Sequence, residues 1–192
     1  GTAGVNDFDL RAGAISFAHN EQKTINSGTY TLSEKNLPGY EAKPWACSGF
    51  TNGGSLDGTT LELKPGETVS CDIENRDIGP KLTLVKVVDN GDGGTAGVND
   101  FGLKAGDLPY QSGEQKTVKA GGYLLTEQNL PGYKPGEWAC TGFLAEGGGN
   151  LTDGTVTLKL AEEVTCTIKN DDIPPKLTLV KVVDNGDGGT AG

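Results

Sequence analysis

The sequence predicts an all-β protein of two tandem antiparallel β-sandwich modules, followed by the first strand of a third module. Three observations favour this class: the chain repeats itself, its apolar runs alternate with period two, and Gly, Asp, Asn and Pro separate those runs. Glycine supplies 31 of the 192 residues and methionine none, a composition unlike that of helix-rich proteins. We therefore expect no helix of useful length.

The repeat is visible as identical segments. GTAGVNDF occurs at residues 1–8 and again at 94–101, an offset of 93. The offset becomes 95 at Cys71 and Cys166, because the second copy has two additional residues in a Gly-rich loop. KLTLVKVVDNGDGGTAG occurs at 81–97 and, unchanged, at 176–192. Self-similarity at this period is typical of a chain of repeated domains.

A complete module begins with an apolar strand. Module two has this strand at its start, and module one does not. We expect module one at 1–78 without its own first strand, a complete module two at 79–173, and the first strand and turn of the next module at 174–192. The connections DIGPK and DDIPPK are too short and too Pro-rich to be flexible linkers. Two arrangements follow: the last strand completes the first module of another copy, or the chain continues unbroken in a longer repeat protein.

Within each module, strand-like runs rich in Val, Thr, Leu and Tyr alternate with turn sequences such as NGDGG, LPGY and LDG. We expect about seven short strands per module, in antiparallel sheets stacked over a narrow core. The clearest runs are KLTLVKVV, GTYTLSE, TTLELK and TVSCDIEN. Because only 34% of the residues are hydrophobic, the core of each module should be thin, and we expect covalent cross-links to stabilise it.

Four cysteines occupy equivalent places in the two modules. Their even number and repeated spacing predict the disulfides Cys47 to Cys71 and Cys140 to Cys166, each worth about 3 kcal/mol. The alternative is two free buried thiols per module. Zinc is not favoured, because the cysteines are isolated and His19 is the only histidine. Disulfides indicate an oxidising, extracellular compartment.

Polar residues end several apolar strand faces. Alternation puts Lys86 on the same face as Leu82 and Leu84, and it puts Glu127 and Asn170 at the ends of two other apolar faces. Lys, Glu and Asn are rarely buried without partners. Three strands that each contribute one such residue therefore predict a shared internal site.

Module one contains only part of the same set. Glu34 and Asn75 are equivalent to Glu127 and Asn170, and no lysine-bearing strand precedes them. The equivalent lysine, Lys181, lies on the strand at the other end of the chain.

The segments LTLVKVVD, YTLSEKNLPGY, LLTEQNLPGY and CTIKNDD resemble the prealbumin-like, CnaB-type repeats of bacterial surface proteins, pilins and adhesins, over nearly all of both modules. The resemblance implies an immunoglobulin-like β-sandwich. It also implies an isopeptide bond between Lys86 and Asn170 with Glu127 as catalyst, and it carries over to Lys181, Asn75 and Glu34. The cysteine pairs depart from the family pattern.

The residues support this chemistry on physical grounds. Burial lowers the pKa of a lysine and raises that of a glutamate, so a neutral amine could attack the Asn170 side-chain carbonyl while Glu127 moves protons and ammonia leaves. The reaction occurs once, as maturation. The alternative is an uncrosslinked ion pair with Asn170 as hydrogen-bond partner.

The turn DNGDGGTAGVND is a candidate cation site. Asp89, Asp92, Asn99 and Asp100 offer hard oxygen ligands within one loop, which suits calcium. The alternative is that these residues serve the geometry of a Gly-rich turn. No cofactor is required by this interpretation.

Charge and composition narrow the function classes. The chain has 26 acidic and 16 basic residues, a net charge of −10, so nucleic acid and anionic membrane are not expected partners. No apolar run is long enough to insert into a membrane. The sequence has one histidine and no phosphate-binding loop followed by a helix, so we find no enzyme motif in it. The only expected chemistry is the single-turnover formation of the isopeptide bond.

We therefore expect a structural module of an extracellular fibre, stalk or adhesin shaft at the cell surface. Its partners would be copies of itself in a head-to-tail homopolymer, or further modules of the same chain. The alternative is an adhesin module that binds a glycan or a protein through variable Gly-rich loops such as 143–150, with Trp138 as a platform.

Overall fold

The structure is a computed structural model that describes residues 1–189. It is all-β, with 19 strands, one 3₁₀ turn at Val5–Phe8 and no α-helix in that range. The predicted fold class of two tandem β modules is confirmed. Across the same range, no helix is both long enough and apolar enough to span a membrane.

Module one contains nine short strands. One sheet has the strand order β2-β1-β3-β7-β6, and the pairs β4-β9 and β5-β8 form the opposite layer. The strands are β1 Leu10–Ala12, β2 Ile15–Phe17, β3 Gly28–Ser33, β4 Tyr40–Ala42, β5 Ala46–Ser48, β6 Ser55–Asp57, β7 Thr60–Leu63, β8 Ser70–Asp72 and β9 Asn75–Asp77.

Module two contains ten strands. One sheet has the order β12-β11-β14-β18-β17, and the other has the order β13-β10-β19-β15, with β16 also paired to β19. The strands are β10 Lys81–Asp89, β11 Leu103–Ala105, β12 Leu108–Tyr110, β13 Gln115–Thr117, β14 Gly121–Thr126, β15 Tyr133–Pro135, β16 Ala139–Thr141, β17 Asn150–Thr152, β18 Thr155–Leu158 and β19 Glu163–Asp172.

Each module therefore has more strands than the predicted seven or so. The additional strands come from tight hairpins such as β1-β2 and β11-β12, in which Gly13 and Gly106 adopt positive φ angles of 57° and 55°. Two-residue loops of this kind favour glycine because it adopts a left-handed conformation without steric cost.

The sequence predicts antiparallel sheets, and one strand pair of module two departs from this prediction. β10 and β19 run parallel over nine residue pairs, from Lys81 opposite Glu163 to Asp89 opposite Asp171. They are the first and last strands of the module, so the whole module between them serves as the long connection that a parallel pair needs.

The first strand determines how much of its layer forms. The sequence Gln-Lys-Thr is strand β13 at 115–117, where it pairs with β10, but the same sequence at 22–24 forms no strand. The ten-residue β19 likewise corresponds to two separate three-residue strands, β8 and β9. No strand among residues 1–189 takes the place of β10 in module one, so strand pairs that depend on such a strand do not form.

The cores differ for the same reason. The core cluster of module one has only three buried members, Ala12, Leu32 and Leu61, and Phe8 is buried outside it. The core of module two is continuous, and Leu82 and Leu84 of β10 are 0% exposed at its centre. The full set in module two is Leu82, Leu84, Leu103, Ala105, Tyr110, Val118, Leu125, Val156, Leu158, Val164, Cys166 and Ile168.

Candidate functional site

The three polar residues predicted to share a site in module two lie together inside it. Lys86 is on β10 opposite Ile168, Asn170 is near the end of β19, and Glu127 directly follows β14. Strict alternation along β10 and β19 turns Lys86 and Asn170 inward, and both are almost fully buried. The two layers of the sandwich thus supply one polar cluster at the end of an apolar core.

Glu127 joins the other two residues. Its Oε2 lies 2.5 Å from Lys86 Nζ, and its Oε1 accepts a hydrogen bond from Asn170 Nδ2 at 2.7 Å. The side chains of Lys86 and Glu127 are 0% and 5% exposed. The ammonium also lies 4.3 Å from the centroid of the Phe101 ring. Water is therefore excluded from an ion pair whose polar contacts come from the protein.

Two polar features of this cluster bear on reactivity. Burial lowers the pKa of Lys86, and the hydrogen bond and charge of Glu127 oppose that shift. Asn170 Oδ1 is buried without a hydrogen-bond partner among residues 1–189. An amine with a lowered pKa, a carboxylate and a carboxamide with a free carbonyl oxygen are the groups that amide transfer from asparagine to lysine requires.

Module one holds the acidic and amide parts of the same cluster. Asn75 Nδ2 donates to Glu34 Oε2 at 2.7 Å, as Asn170 does to Glu127. Glu34 Oε1 is buried and has no hydrogen-bond partner within the described range. The equivalent oxygen in module two is the one that contacts Lys86.

Lys181 lies apart from Glu34 and Asn75. Residues 173–185 form no strand, and the apolar side chains around Lys181 face solvent, with Leu177 at 84% and Leu179 at 85% exposure. The identical sequence in β10 is buried at the centre of module two. The predicted third-module segment 174–192 is described through residue 189, and its last three residues lie outside the description.

The predicted disulfides are present. Cys47 on β5 is bonded to Cys71 on β8, and Cys140 on β16 is bonded to Cys166 on β19. In each case the two cysteines are directly opposite in the strand register. All four cysteines of the chain are thereby accounted for. The first disulfide joins β5 to β8, and the second joins β16 to β19.

Three of the four candidate calcium ligands use their side chains in other contacts, and Asp92 takes part only through its main-chain amide. Asp89 pairs with Lys169 at 2.9 Å, which lowers the pKa of Asp89. Asp100 accepts from the Gly97 amide, and Asn99 accepts from the Ser112 amide. The main-chain amide of Asp92 donates to the Asp172 carboxylate. Residues 1–189 contain no group of three or more His, Cys, Asp or Glu arranged for a metal. The calcium site stays a prediction.

Asp172 and Tyr133 organise the turn after β10, and the sequence analysis did not identify them. Asp172, 6% exposed, accepts hydrogen bonds from the amides of Asp92 and Gly94. The Tyr133 hydroxyl donates to Asn90 Oδ1 at 2.6 Å and accepts from the Ala96 amide at 2.9 Å. The available signal was the recurrence of the PGY tyrosine and of the aspartate that ends the last strand.

Module one repeats part of this arrangement with the equivalent donors. Asp77 accepts from the amino group of Gly1 at 2.5 Å, and the Tyr40 hydroxyl accepts from the Ala3 amide at 3.0 Å. Gly1 is equivalent to Gly94, whose amide contacts Asp172. Gly1 N therefore lies where module two has the amide of Gly94.

A second pair of residues that the sequence analysis missed anchors the Gly-rich loops. Glu67 accepts from the amides of Thr51, Asn52, Gly54 and Lys64, which lowers its pKa to about 2. Its equivalent Glu162, 1% exposed, accepts from the amides of Leu144, Gly149 and Lys159. Both glutamates follow a lysine by three residues at the start of the last strand region, and that spacing could have identified them.

Trp45 and Trp138 are partly buried against the two cores. This packing favours a role in the interior over a role as a carbohydrate platform. His19 is exposed and contacts Asn20.

The fold and the site define a class of tandem β-sandwich modules with an internal Lys, Glu and Asn cluster. The model of the SpaA-type family described as a prealbumin-like fold domain matches residues 2–73 and 77–168. The chain belongs to this family. Searches of the curated proteins and of the solved structures found no match. Domains of this type are structural, non-enzymatic modules of pilus and surface proteins.

Proposed function

We propose that this chain is a structural module pair of an extracellular fibre, stalk or adhesin shaft, in which residues 176–183 of one copy complete module one of the next. The observation that carries the proposal is the buried, unpaired Glu34 Oε1. Its counterpart in module two binds the lysine of the first strand. A buried carboxylate oxygen without a partner is costly, and Lys181 is the lysine equivalent to Lys86.

The backbone of module one supports the same proposal. β8 and β9 pair with β5 and β4, and their opposite edge has no strand among residues 1–189. A donor that copied the register of β10 would lie parallel to them, with Lys181 opposite Ile73 and Val183 opposite Asn75. Its other edge would pair with residues 22–24, as β10 pairs with β13. Strand addition satisfies the backbone groups of a sheet edge.

Burial of apolar surface supplies the driving force. Leu177 and Leu179 are more than four-fifths exposed, whereas the equivalent Leu82 and Leu84 are 0% exposed. Fully burying one leucine side chain contributes about 1.5–3 kcal/mol. Module one would gain the apolar contacts that it lacks, since its core cluster has only three buried residues.

A covalent step extends the proposal. The Lys86 amine attacks Cγ of Asn170, a new C–N bond forms, and the C–N bond to Nδ2 breaks. Glu127 carries the proton from the amine to the leaving nitrogen, so the products are an isopeptide bond and ammonia. Lys181 would react in the same way with Asn75 of the next copy, assisted by Glu34. The bond between Lys181 and Asn75 would then make the strand insertion irreversible.

A synthetic peptide of residues 176–184 tests the strand insertion. We expect the labelled peptide to bind the full chain and to slow amide exchange at residues 22–24 and 70–77. The matched control is the same peptide with Leu177→Asp and Leu179→Asp, which should not bind. Absence of binding by the native peptide, with unchanged exchange at both segments, would contradict the proposal.

A further inference from the structure

The junction between the two modules is formed by a specific turn-on-turn contact. Ile78, in the connection, donates its amide to the Gly39 carbonyl at 2.8 Å and accepts from the Ala161 amide at 2.8 Å. Leu160 packs directly over Gly39, so closely that any Cβ at Gly39 would collide with the leucine side chain. The LPGY turn of module one is thus the seat for the Leu160–Ala161 turn of module two.

The same seat exists at the other end of module two, where nothing covers it. Ile173 donates to the Gly132 carbonyl at 2.8 Å, as Ile78 does to Gly39. A Cβ at Gly132 would meet no atom of residues 1–189 within 4 Å. Exposure rises accordingly, from 40% at Ile78 to 56% at Ile173. The seat is therefore preformed, with an uncovered glycine and an exposed isoleucine.

Module one presents the matching turn. Pro65 and Gly66 are equivalent to Leu160 and Ala161, and Gly66 and Ala161 both have positive φ, at 81° and 59°. Both Pro65 and Gly66 are exposed. The Gly66 amide makes no hydrogen bond within the described residues, whereas the Ala161 amide binds Ile78. The turn thus has a free donor of the type that the internal junction uses.

We propose that the seat formed by Leu130–Tyr133 and Ile173 docks the Pro65–Gly66 turn of a second copy, with the Gly66 amide donating to the Ile173 carbonyl. This inference rests on the proposed function, because strand 176–183 delivers the second copy to this position. Only Ile173, Pro174 and Pro175 separate β19 from the donor strand, as Ile78, Gly79 and Pro80 separate β9 from β10. Connections of equal length, stiffened by proline, bring the two turns together.

The docked turn would give the junction between copies the geometry of the junction within a copy. A fibre built in this way has one repeating angle between modules, and it resists bending at every junction. The contact between copies is the weaker one, because Pro65 offers less apolar surface than Leu160.

Amide exchange of assembled and dilute chain, with electron microscopy of the assemblies, tests this surface. We expect the Gly66 amide to become protected on assembly, together with residues 176–183. Gly132→Asn should abolish protection of Gly66 while 176–183 stay protected, and it should produce fibres bent at alternate junctions. Pro65→Leu, which copies the internal junction, should slow exchange at Gly66 further.

Gly113→Asn is the matched control for the change at Gly132. Gly113 has φ +83° and open space around its Cβ position, and the equivalent residue of module one is Asn20 with φ +60°. This variant should assemble into straight fibres with Gly66 protected.

The outcomes separate the two proposals. Protection of 176–183 with unchanged exchange at Gly66, and straight fibres for Gly132→Asn, would overturn the docking surface and leave the strand insertion intact. Absence of protection at both segments would overturn the proposed assembly, and the docking surface with it.

Discussion

Asn75 donates its side-chain amide to Glu34 at 2.7 Å inside module one, while the second oxygen of Glu34 is buried without a partner. In module two the equivalent glutamate uses both oxygens, one for Asn170 and one for Lys86. The difference follows from the first strand, which module two has in place and module one lacks within the described residues. Both oxygens of the buried glutamate are therefore paired only in the module whose first strand is in place.

Before any isopeptide bond forms, removing Lys86 alone should destabilise module two strongly, so the uncrosslinked parent is the reference. Lys86→Met leaves Glu127 buried with one unpaired oxygen, and breaking a buried pair in this way costs about 3–5 kcal/mol. The double change Lys86→Met with Glu127→Leu should recover most of that loss, because neither charge remains. Urea unfolding of the three proteins measures the difference. Equal stability of the single variant and the parent would contradict the buried pair.

The two modules should depend to different degrees on their disulfides to stay folded. Reduction should unfold module one and leave module two folded, because the core cluster of module one has three buried residues and module two has a continuous core. Each bond closes a loop of 24 or 26 residues, for which chain entropy gives about 3 kcal/mol. Limited proteolysis with and without reductant monitors the two modules. The pair of variants Cys47→Ala/Cys71→Ala and Cys140→Ala/Cys166→Ala should reproduce this order, and the opposite order would refute it.

The Glu67 anchor should make the loop at 51–54 sensitive to acid. Four backbone hydrogen bonds lower the Glu67 pKa from its usual 4.5 to about 2, so the folded state favours the ionised form. The stabilisation is complete above pH 4.5 and is lost as the pH falls through about 2.

Carboxyl NMR of Glu67 should therefore titrate with a midpoint of about 2, and the Asn52 and Gly54 amides should shift with the same midpoint. Glu67→Gln should remove this pH dependence. Glu146→Gln is the control, since Glu146 is an exposed glutamate in the Gly-rich loop of module two. A Glu67 midpoint near 4.5 would show that the anchor does not hold in solution.

Tyr133→Phe should loosen the turn after β10. The hydroxyl binds both Asn90 and the Ala96 amide, and loss of such bonds costs about 1–2 kcal/mol. Tyr40→Phe is the matched change in module one, where the hydroxyl binds only the Ala3 amide, and it should cost less. Amide exchange at residues 90–97 and urea unfolding compare the two variants. A larger effect at Tyr40 would be inconsistent with the turn network.

Sequence alternation predicted the cluster because parity fixes the face on which a strand residue lies. Lys86, Glu127 and Asn170 each continue an apolar face, so each had to be buried if its neighbours were. The equivalent positions of the cysteines in the two repeats predicted both disulfides. These predictions needed only local pattern and internal repetition.

Parity carries no information on strand direction or on neighbours across the sheet. The parallel pairing of β10 with β19 depends on contacts about 80 residues apart. Asp172 and Glu67 also escaped prediction, because alternation along a strand does not show which distant backbone amides a carboxylate binds, and only their recurrence in the two modules marked them. The Gln-Lys-Thr segment shows the same limit, since one sequence is a strand at 115–117 and not at 22–24.

Cross-linked peptide mapping of an assembly grown from equal amounts of ¹⁴N and ¹⁵N chain tests the central claim most directly. After boiling in denaturant and reductant and digestion with trypsin, we predict a peptide that joins Lys181 to Asn75 with one ammonia lost. Half of these peptides should carry one label on each side, because the strand comes from another copy. Peptides that contain Lys181 and Asn75 only at their free masses, with residues 176–183 exchanging as fast as in dilute chain, would contradict the account.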